Sequence, residues 1–154
     1  MAQVLITHSY HLAFDRKQVR KMQPYLPLGT LYAAAMLRKH DISVGVFDTM
    51  LSDPVTGFPA ALKKHVPKLV AIYEDDFNFL SKMCLTRMRE LAWWMIEVAR
   101  KAGATVIVHG SDATDHVEDY LQCGADYVLV GEAESTLTQL CSNLLNSGDG
   151  RDVP

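Results

Sequence analysis

The sequence predicts an α/β protein: a flavodoxin-like (Rossmann-like) three-layer sandwich around a five-stranded parallel sheet of order 2-1-3-4-5. Three observations predict it. Five short apolar, β-branched runs recur along the chain: Val4 to Thr7, Val44 to Phe47, Leu69 to Tyr73, Thr105 to Val108 and Tyr127 to Val130. Each is nearly all apolar rather than alternating, as expected of strands covered on both faces. Helix-period segments separate them, and strand–helix alternation implies parallel strands joined by right-handed crossovers. In such a sheet the ligand crevice lies beyond the carboxyl ends of the strands.

The helical segments follow from spacing and end signals. Leu28 to His40 carries Leu31, Ala34, Ala35 and Leu37 on a face that can lie close to a sheet, and closes on Arg38, Lys39 and His40. Cations suit the negative end of a helix. A short helix is expected over Pro59 to His65. Leu85 to Ala102 is the longest, with Leu85, Met88, Ala92, Met95 and Ala99 at helical spacing. There Trp94 should join the core with Leu91 and Val98, whereas Trp93 falls on the polar side among Arg89, Glu90, Glu97 and Arg100. Asp115 to Gln122 is a further helix, and Ser135 to Asn146 the last, with Leu137, Leu140, Cys141 and Leu144 in register. No internal repeat interrupts the pattern. Residues 1–146 therefore read as one domain and 147–154 as a linker, rich in Gly, Asp and Ser.

Bulk composition narrows the function classes. A chain of 154 residues, 49% apolar and 21% charged, has the size and balance of one soluble globular domain. Its formal net charge of −3 gives no general reason to expect nucleic acid or an anionic membrane as partner. No apolar run reaches the roughly 18 residues that would span a bilayer. The chain runs directly into a strand-like Gln3-Val4-Leu5-Ile6-Thr7 with no basic region ahead of it, so a cytoplasmic protein without a signal peptide is expected. Cys84, Cys123 and Cys141 lie 39 and 18 positions apart, too far for a zinc or iron–sulfur loop. Cys141 reads as a core residue of the last helix, and Cys84 and Cys123 as small apolar fillers.

Chemistry is expected at the loops that leave the strands. His8 to Leu26 is long for a connection that usually takes about 2–6 residues; it holds Tyr10, Phe14 and Tyr25, and Arg16, Lys17, Arg20 and Lys21 against Asp15. It closes on Tyr25-Leu26-Pro27-Leu28-Gly29-Thr30. A Pro-Leu-Gly start to a small-residue helix, then Asp48 after strand two, then Val108-His109-Gly110-Ser111-Asp112-Ala113-Thr114, then Asp126-Tyr127-Val128-Leu129-Val130-Gly131-Glu132-Ala133-Glu134-Ser135-Thr136-Leu137 follow in that order. This series resembles the N-terminal cobalamin-binding domain of cobalamin-dependent radical-SAM proteins. The resemblance spans essentially the whole chain, and Asp152-Val153-Pro154 falls where that family connects to its catalytic barrel.

The resemblance implies a module that binds cobalamin and orients it for a radical-SAM domain elsewhere in the natural chain, most often for methyl transfer. The iron–sulfur cluster and S-adenosylmethionine would belong to that other domain. This chain lacks the triple-cysteine loop, so no catalytic residue is expected in it and no turnover by it alone. Expected cofactor contacts are Tyr10, Leu28 and Gly29; Glu74, Asp75, Asp76 and Asn78 after strand three; Gly110, Ser111, Asp112 and Ala113 after strand four; and Gly131 and Glu132 after strand five. Corrin amide arms favour backbone donors and short polar side chains, and glycine lets a backbone approach a bulky ligand. The glutamates near Gly131 also suit a helix start. The Asp-x-His-x-x-Gly signature that supplies a lower axial histidine is missing, which implies base-off cobalamin with no protein histidine on cobalt. The turn after strand four departs from the family's usual Val-Gly-Gly-Pro-His-Ala-Thr: His109 stands for a glycine, and Ser111 and Asp112 for proline and histidine.

Other readings of the same fold are weaker. A phosphoryl-accepting receiver needs an acidic pair after strand one and a lysine after strand five, where Thr7-His8 and Gly131 stand. A flavodoxin needs a compact Thr/Ser-Gly phosphate loop, which His8-Ser9-Tyr10-His11 does not supply. A degenerate domain that has lost cobalamin and serves as a docking or regulatory surface stays open because of the substitutions at 109, 111 and 112.

Overall fold

A computed structural model of the protein describes residues 1–22, 24, 26–74, 84–146 and 150. Its sheet is all-parallel with strand order β2-β1-β3-β4-β5, formed by β1 (Val4–Thr7), β2 (Val44–Phe47), β3 (Leu69–Tyr73), β4 (Thr105–His109) and β5 (Tyr127–Leu129). This is the expected flavodoxin-like arrangement. Val4 lies opposite Val44 on one side and Leu69 on the other, Leu69 opposite Thr105, and Ile107 opposite Tyr127. The pairing ends flush, with Tyr73 opposite His109 and His109 opposite Leu129. Thus β4 runs one residue further than expected and β5 one residue less, because His109 still has a partner on each side whereas Val130 is exposed.

Alternation along each strand sends side chains into two cores. Leu5, Val70, Ile72, Val106 and Val108 pack on one face under α3 (Pro54–His65), α4 (Leu85–Lys101), α5 (Ser111–Asp115) and α6 (Val117–Gln122). Val4, Ile6, Ala71, Tyr73 and Ile107 pack on the other under α2 (Leu28–Lys39) and α7 (Glu134–Asn146). Ala33 and Ala34 are buried where α2 meets the sheet, so small side chains permit the close approach. Trp93 and Trp94 are both half-buried against the first core, Trp93 with its ring edge-on to Tyr120 and Trp94 beside Phe58.

Three local differences from the sequence reading have identifiable causes. First, α3 begins at Pro54, not Pro59. Asp53 caps it, accepting from Val55 N at 3.1 Å and from Thr56 Oγ1 at 2.7 Å, and Pro54 supplies a preset first turn that needs no N–H. Second, the helix expected over Asp115 to Gln122 is two helices. It starts at Ser111, directly after Gly110, and breaks at His116, whose backbone is non-helical. Third, the long connection after β1 contains helical structure that the spacing did not predict. Leu12–Phe14 forms a 3-10 turn, and α1 (Arg16–Lys21) is capped by buried Asp15, which accepts from Lys17 N and Gln18 N. Tyr10 and Leu12 pack with Met50, Cys84 and Met88 in a third apolar cluster. Residues 147–149 and 151–154 of the expected linker lie outside the described residues.

Candidate functional site

Ligand geometry in this fold class starts at the switch point, the gap between the carboxyl ends of β1 and β3 where the strand order reverses. Here the protein's own side chains fill it. Glu74, the first residue past β3, reaches across so that Oε1 accepts the backbone N–H of Ser9, past β1, at 2.8 Å. Thr30 of α2 donates its hydroxyl to the Tyr73 carbonyl at 2.7 Å, and Glu74 N donates to the His109 carbonyl at 3.0 Å. Although part of Glu74 reaches the surface, its carboxyl is buried, and Oε2 has no hydrogen-bond partner among the described residues. Burial pushes the Glu74 carboxyl above the usual carboxylate range, against an opposing pull from His8 and Ser9.

Gly110 makes this packing possible. Its φ of 148° lies where side-chain-bearing residues are rare, and a β-carbon there would stand 2.8 Å from the Glu74 Cβ. Gly131 also has positive φ, 77°, but open space around it.

Behind the switch point, His8 joins the ends of β1 and β2. Its Nε2 lies 2.9 Å from Asp48 Oδ1 and its Nδ1 3.1 Å from Thr49 Oγ1, while the Thr49 hydroxyl is shared between the carbonyls of His8 and Tyr10 at 2.8 and 2.9 Å. The hydrogen bond from His8, with another from Met50 N, holds Asp48 below the usual carboxylate range although partial burial opposes it. Hydroxyl, imidazole and carboxylate thus form the connectivity used in nucleophilic catalysis. The hydroxyl and the imidazole are both wholly buried and the hydroxyl is committed to backbone, so the chain of bonds locks two strand ends together.

A second lock holds the turn after β4. Arg89 of α4 grips Asp112 with two hydrogen bonds, Nε to Oδ2 at 2.8 Å and a terminal nitrogen to Oδ1 at 2.6 Å, and Tyr120 donates its hydroxyl to Oδ2 at 2.9 Å. Burial alone would raise the Asp112 carboxyl; the bonds from Arg89 and Tyr120 outweigh it and hold it low. Sequence reading missed Arg89, because the pairing joins residues 23 positions apart on different elements.

The open concavity lies beside these locks, at the ends of β4 and β5. It is a cavity of about 450 Å³. His109, Gly110, Ser111, Thr114 and Asp115 line it from the β4 side, and Gly131, Glu132 and Glu134 from the β5 side. Among the described residues no lysine or arginine lines it. The His109 ring is buried and stacks on Tyr73, centroids 4.1 Å apart and planes 20° apart, with Nε2 2.9 Å from the Gly131 carbonyl.

The structure therefore gathers Gly110, Ser111, Gly131 and Glu132 at one cavity and sets Glu74 beside it against Gly110. Leu28 is exposed and Gly29 half-exposed at the start of α2. Tyr10 and Ala113 are buried in core clusters rather than on the crevice surface, and the Asp112 oxygens are taken by protein groups. Asp75, Asp76 and Asn78 lie outside the described residues. Cys84 and Cys141 are buried as expected, their thiols pushed up by burial to about 11 and about 12, but Cys123 is exposed rather than a core filler. It follows α6 at a turn, where apolar spacing no longer reports burial. No group of three or more His, Cys, Asp or Glu able to hold a metal ion occurs among the described residues. No helix among them is long and apolar enough to cross a membrane. No protein-family model matches the sequence, and no curated protein matches it.

Proposed function

We propose that this domain is the cobalamin-binding module of a radical-SAM enzyme, one that acts in the cytoplasm, most often by methyl transfer. The supporting observation is the cavity at the ends of β4 and β5. Its lining combines two glycines at turns with hydroxyls, carboxylates and an imidazole, and holds no lysine or arginine among the described residues. Such a lining receives N–H donors and repels phosphate, which fits a ligand edged with carboxamide arms and disfavours a flavin nucleotide or a phosphoryl group.

A corrin is far larger than 450 Å³, so only its peripheral arms would enter, with the ring lying across the rim. Ser111, Glu132 and the backbone at Gly110 and Gly131 would hold those arms, and exposed Leu28 and Val130 would meet apolar ring surface. Bound cobalamin would supply the organometallic chemistry; the chain's part is to bind, orient and exclude water. His109 has Nε2 on a backbone carbonyl and its ring flat on Tyr73, an arrangement that supports base-off binding without a histidine on cobalt.

The test is titration of the purified domain with hydroxocobalamin, followed by absorbance and calorimetry. Saturable binding with a base-off spectrum is expected, and Glu132→Ala, at an exposed lining residue, should weaken it several-fold with little change in Tm. Absence of saturable binding, by the domain and by any longer natural form, would end this reading.

One observation favours a second reading, a docking domain that no longer takes the cofactor. The switch point is closed by Glu74 on Ser9 N–H, the place a ligand of this fold class would claim. An unchanged Tm with excess cobalamin would favour it.

A further inference from the structure

Helix α1 (Arg16–Lys21) has no buried residue; its anchor is the buried Asp15 that caps its start. Arg16, Lys17, Arg20 and Lys21 stand at i, i+1, i+4 and i+5, so the four cations share an arc of about 140°. None of them makes an ion pair among the described residues. Like charges so spaced on a helix repel one another. Val19 and Met22, the residue that ends the helix, are exposed apolar side chains beside them. A helix of this kind is suited to an acidic surface with some apolar area.

The opposite charge lies at the same end of the sheet. Asp115, Glu132 and Glu134 line the cavity at the ends of β4 and β5. A second concavity, of about 340 Å³, shares Thr114 and Asp115 with it and adds Glu118 and Asp119. Of these acids only Asp119 has an ion pair among the described residues, with His116 at 3.3 Å. No lysine or arginine lines either concavity among the described residues. Val130, exposed and next in the chain to Gly131 of the lining, supplies apolar area.

Strand order sets the two patches on opposite sides. The 3-10 turn from which α1 continues is tied to the loop after β2, Leu12 N donating to the Met50 carbonyl at 3.1 Å. β2 is one margin of the sheet and β5 the other. Each copy therefore carries cations towards β2 and acids towards β4 and β5. A twofold axis along the sheet normal, passing that end, sets the β2 side of one copy against the β5 side of the other. Cations then meet acids at two equivalent contacts, and the symmetry closes on two copies instead of running on as a chain. A net charge of only −3 leaves little general repulsion between copies.

We infer that α1 docks on the acidic concavities of a second copy, so that the chain forms a twofold dimer through the carboxyl end of its sheet. The inference does not rest on the identity of the cavity's ligand. It does set pairing and cavity filling in competition for one surface.

The experiment is sedimentation velocity of the wild type over a salt series. A dimer is expected at about 0.02 M salt and a monomer at about 1 M, where the screening length falls to about 3 Å. Arg16→Glu with Arg20→Glu, and separately Asp115→Lys with Glu132→Lys, should each weaken the dimer about tenfold or more. All four positions are exposed, so both variants should keep the wild-type circular dichroism. Mixed in equal amounts, the two variants should recover most of the association, because both contacts then join opposite charges again. A wild type that stays monomeric at low salt overturns the inference, whether or not α1 then holds phosphatidylserine vesicles or a polyuridine strand. A dimer that persists at high salt and in both variants overturns it too, since another face would hold it. So do folded variants that are each monomeric and remain so when mixed. The salt series needs no variant to fold.

Discussion

Gly110 and Glu74 are packed so closely that the place of a β-carbon on one is only 2.8 Å from the β-carbon of the other. The contact couples the ends of β3 and β4, since the Glu74 N–H also donates to the carbonyl of His109. Gly110→Ala should therefore both strain a positive-φ backbone and drive a methyl into Glu74. Loss of roughly 1–3 kcal/mol is expected from the overpacking, read as a lower urea midpoint with an unchanged slope. An alanine variant as stable as the wild type would show that Glu74 moves freely and that the switch point is less tightly filled than described.

Removing Arg89 should cost more than removing its partner. Arg89→Ala leaves a largely covered Asp112 carboxylate with only the Tyr120 hydroxyl, at a cost of about 2 kcal/mol. Asp112→Asn keeps the shape and leaves the arginine able to reach water. A double-mutant cycle in chemical denaturation should return a coupling of about 1 kcal/mol or more. Additive losses would mean that the pair is only a surface contact.

Two carboxylates should give opposite pH signatures. Asp48 is lowered in the native protein, chiefly by its hydrogen bond from His8. Its contribution is complete above the unfolded value of 3.8 and fades as the pH falls through the lower native value. Glu74 is raised by burial, with His8, Ser9 and Asp112 as the groups acting on it. Its neutral form is favoured in the native state, so its contribution is complete below the unfolded value of 4.5 and is lost as the pH rises through the raised native value. Asp48→Asn should therefore lose its penalty relative to wild type in acid, whereas Glu74→Gln should gain stability relative to wild type as the pH climbs above 4.5. Parallel pH–stability curves for wild type and Glu74→Gln would refute the assignment.

Tyr10 should behave as a core residue. It is wholly buried, with its hydroxyl 3.3 Å from Asp15. Tyr10→Ala is expected to destabilise by on the order of 3 kcal/mol, and Tyr10→Phe by about 1 kcal/mol through the lost hydrogen bond. Thermal melts of the two variants distinguish this from a surface role, which would leave both near wild type.

The sheet was legible from sequence because strands covered on both faces must be continuously apolar, and Val4–Thr7 and Leu69–Tyr73 are such runs. The order 2-1-3-4-5 followed from the flavodoxin-like arrangement that five strands alternating with five helices suit, with right-handed crossovers. What stayed hidden depended on polar groups far apart in the chain. Nothing near Asp112 announces Arg89, and nothing near Glu74 announces Ser9, because a side chain's partner is set by where the turns aim it. The glycines after β4 and β5 were legible as turn residues, but that Glu74 would reach across to Ser9 and leave a cavity beside it was not. Helix α1 was missed because Arg16-Lys17-Gln18-Val19-Arg20-Lys21 carries one apolar residue and no stripe; a buried aspartate cap, not amphipathicity, starts it.

The two outermost strands have a bearing on how the protein behaves in concentrated solution. β2 is four residues long and β5 three, so neither margin of the sheet offers more than a brief row of unpaired peptide groups. A foreign strand could form only a bond or two there before running past the end. Short margins of this kind starve the templated, strand-by-strand growth from which fibres and swapped assemblies begin.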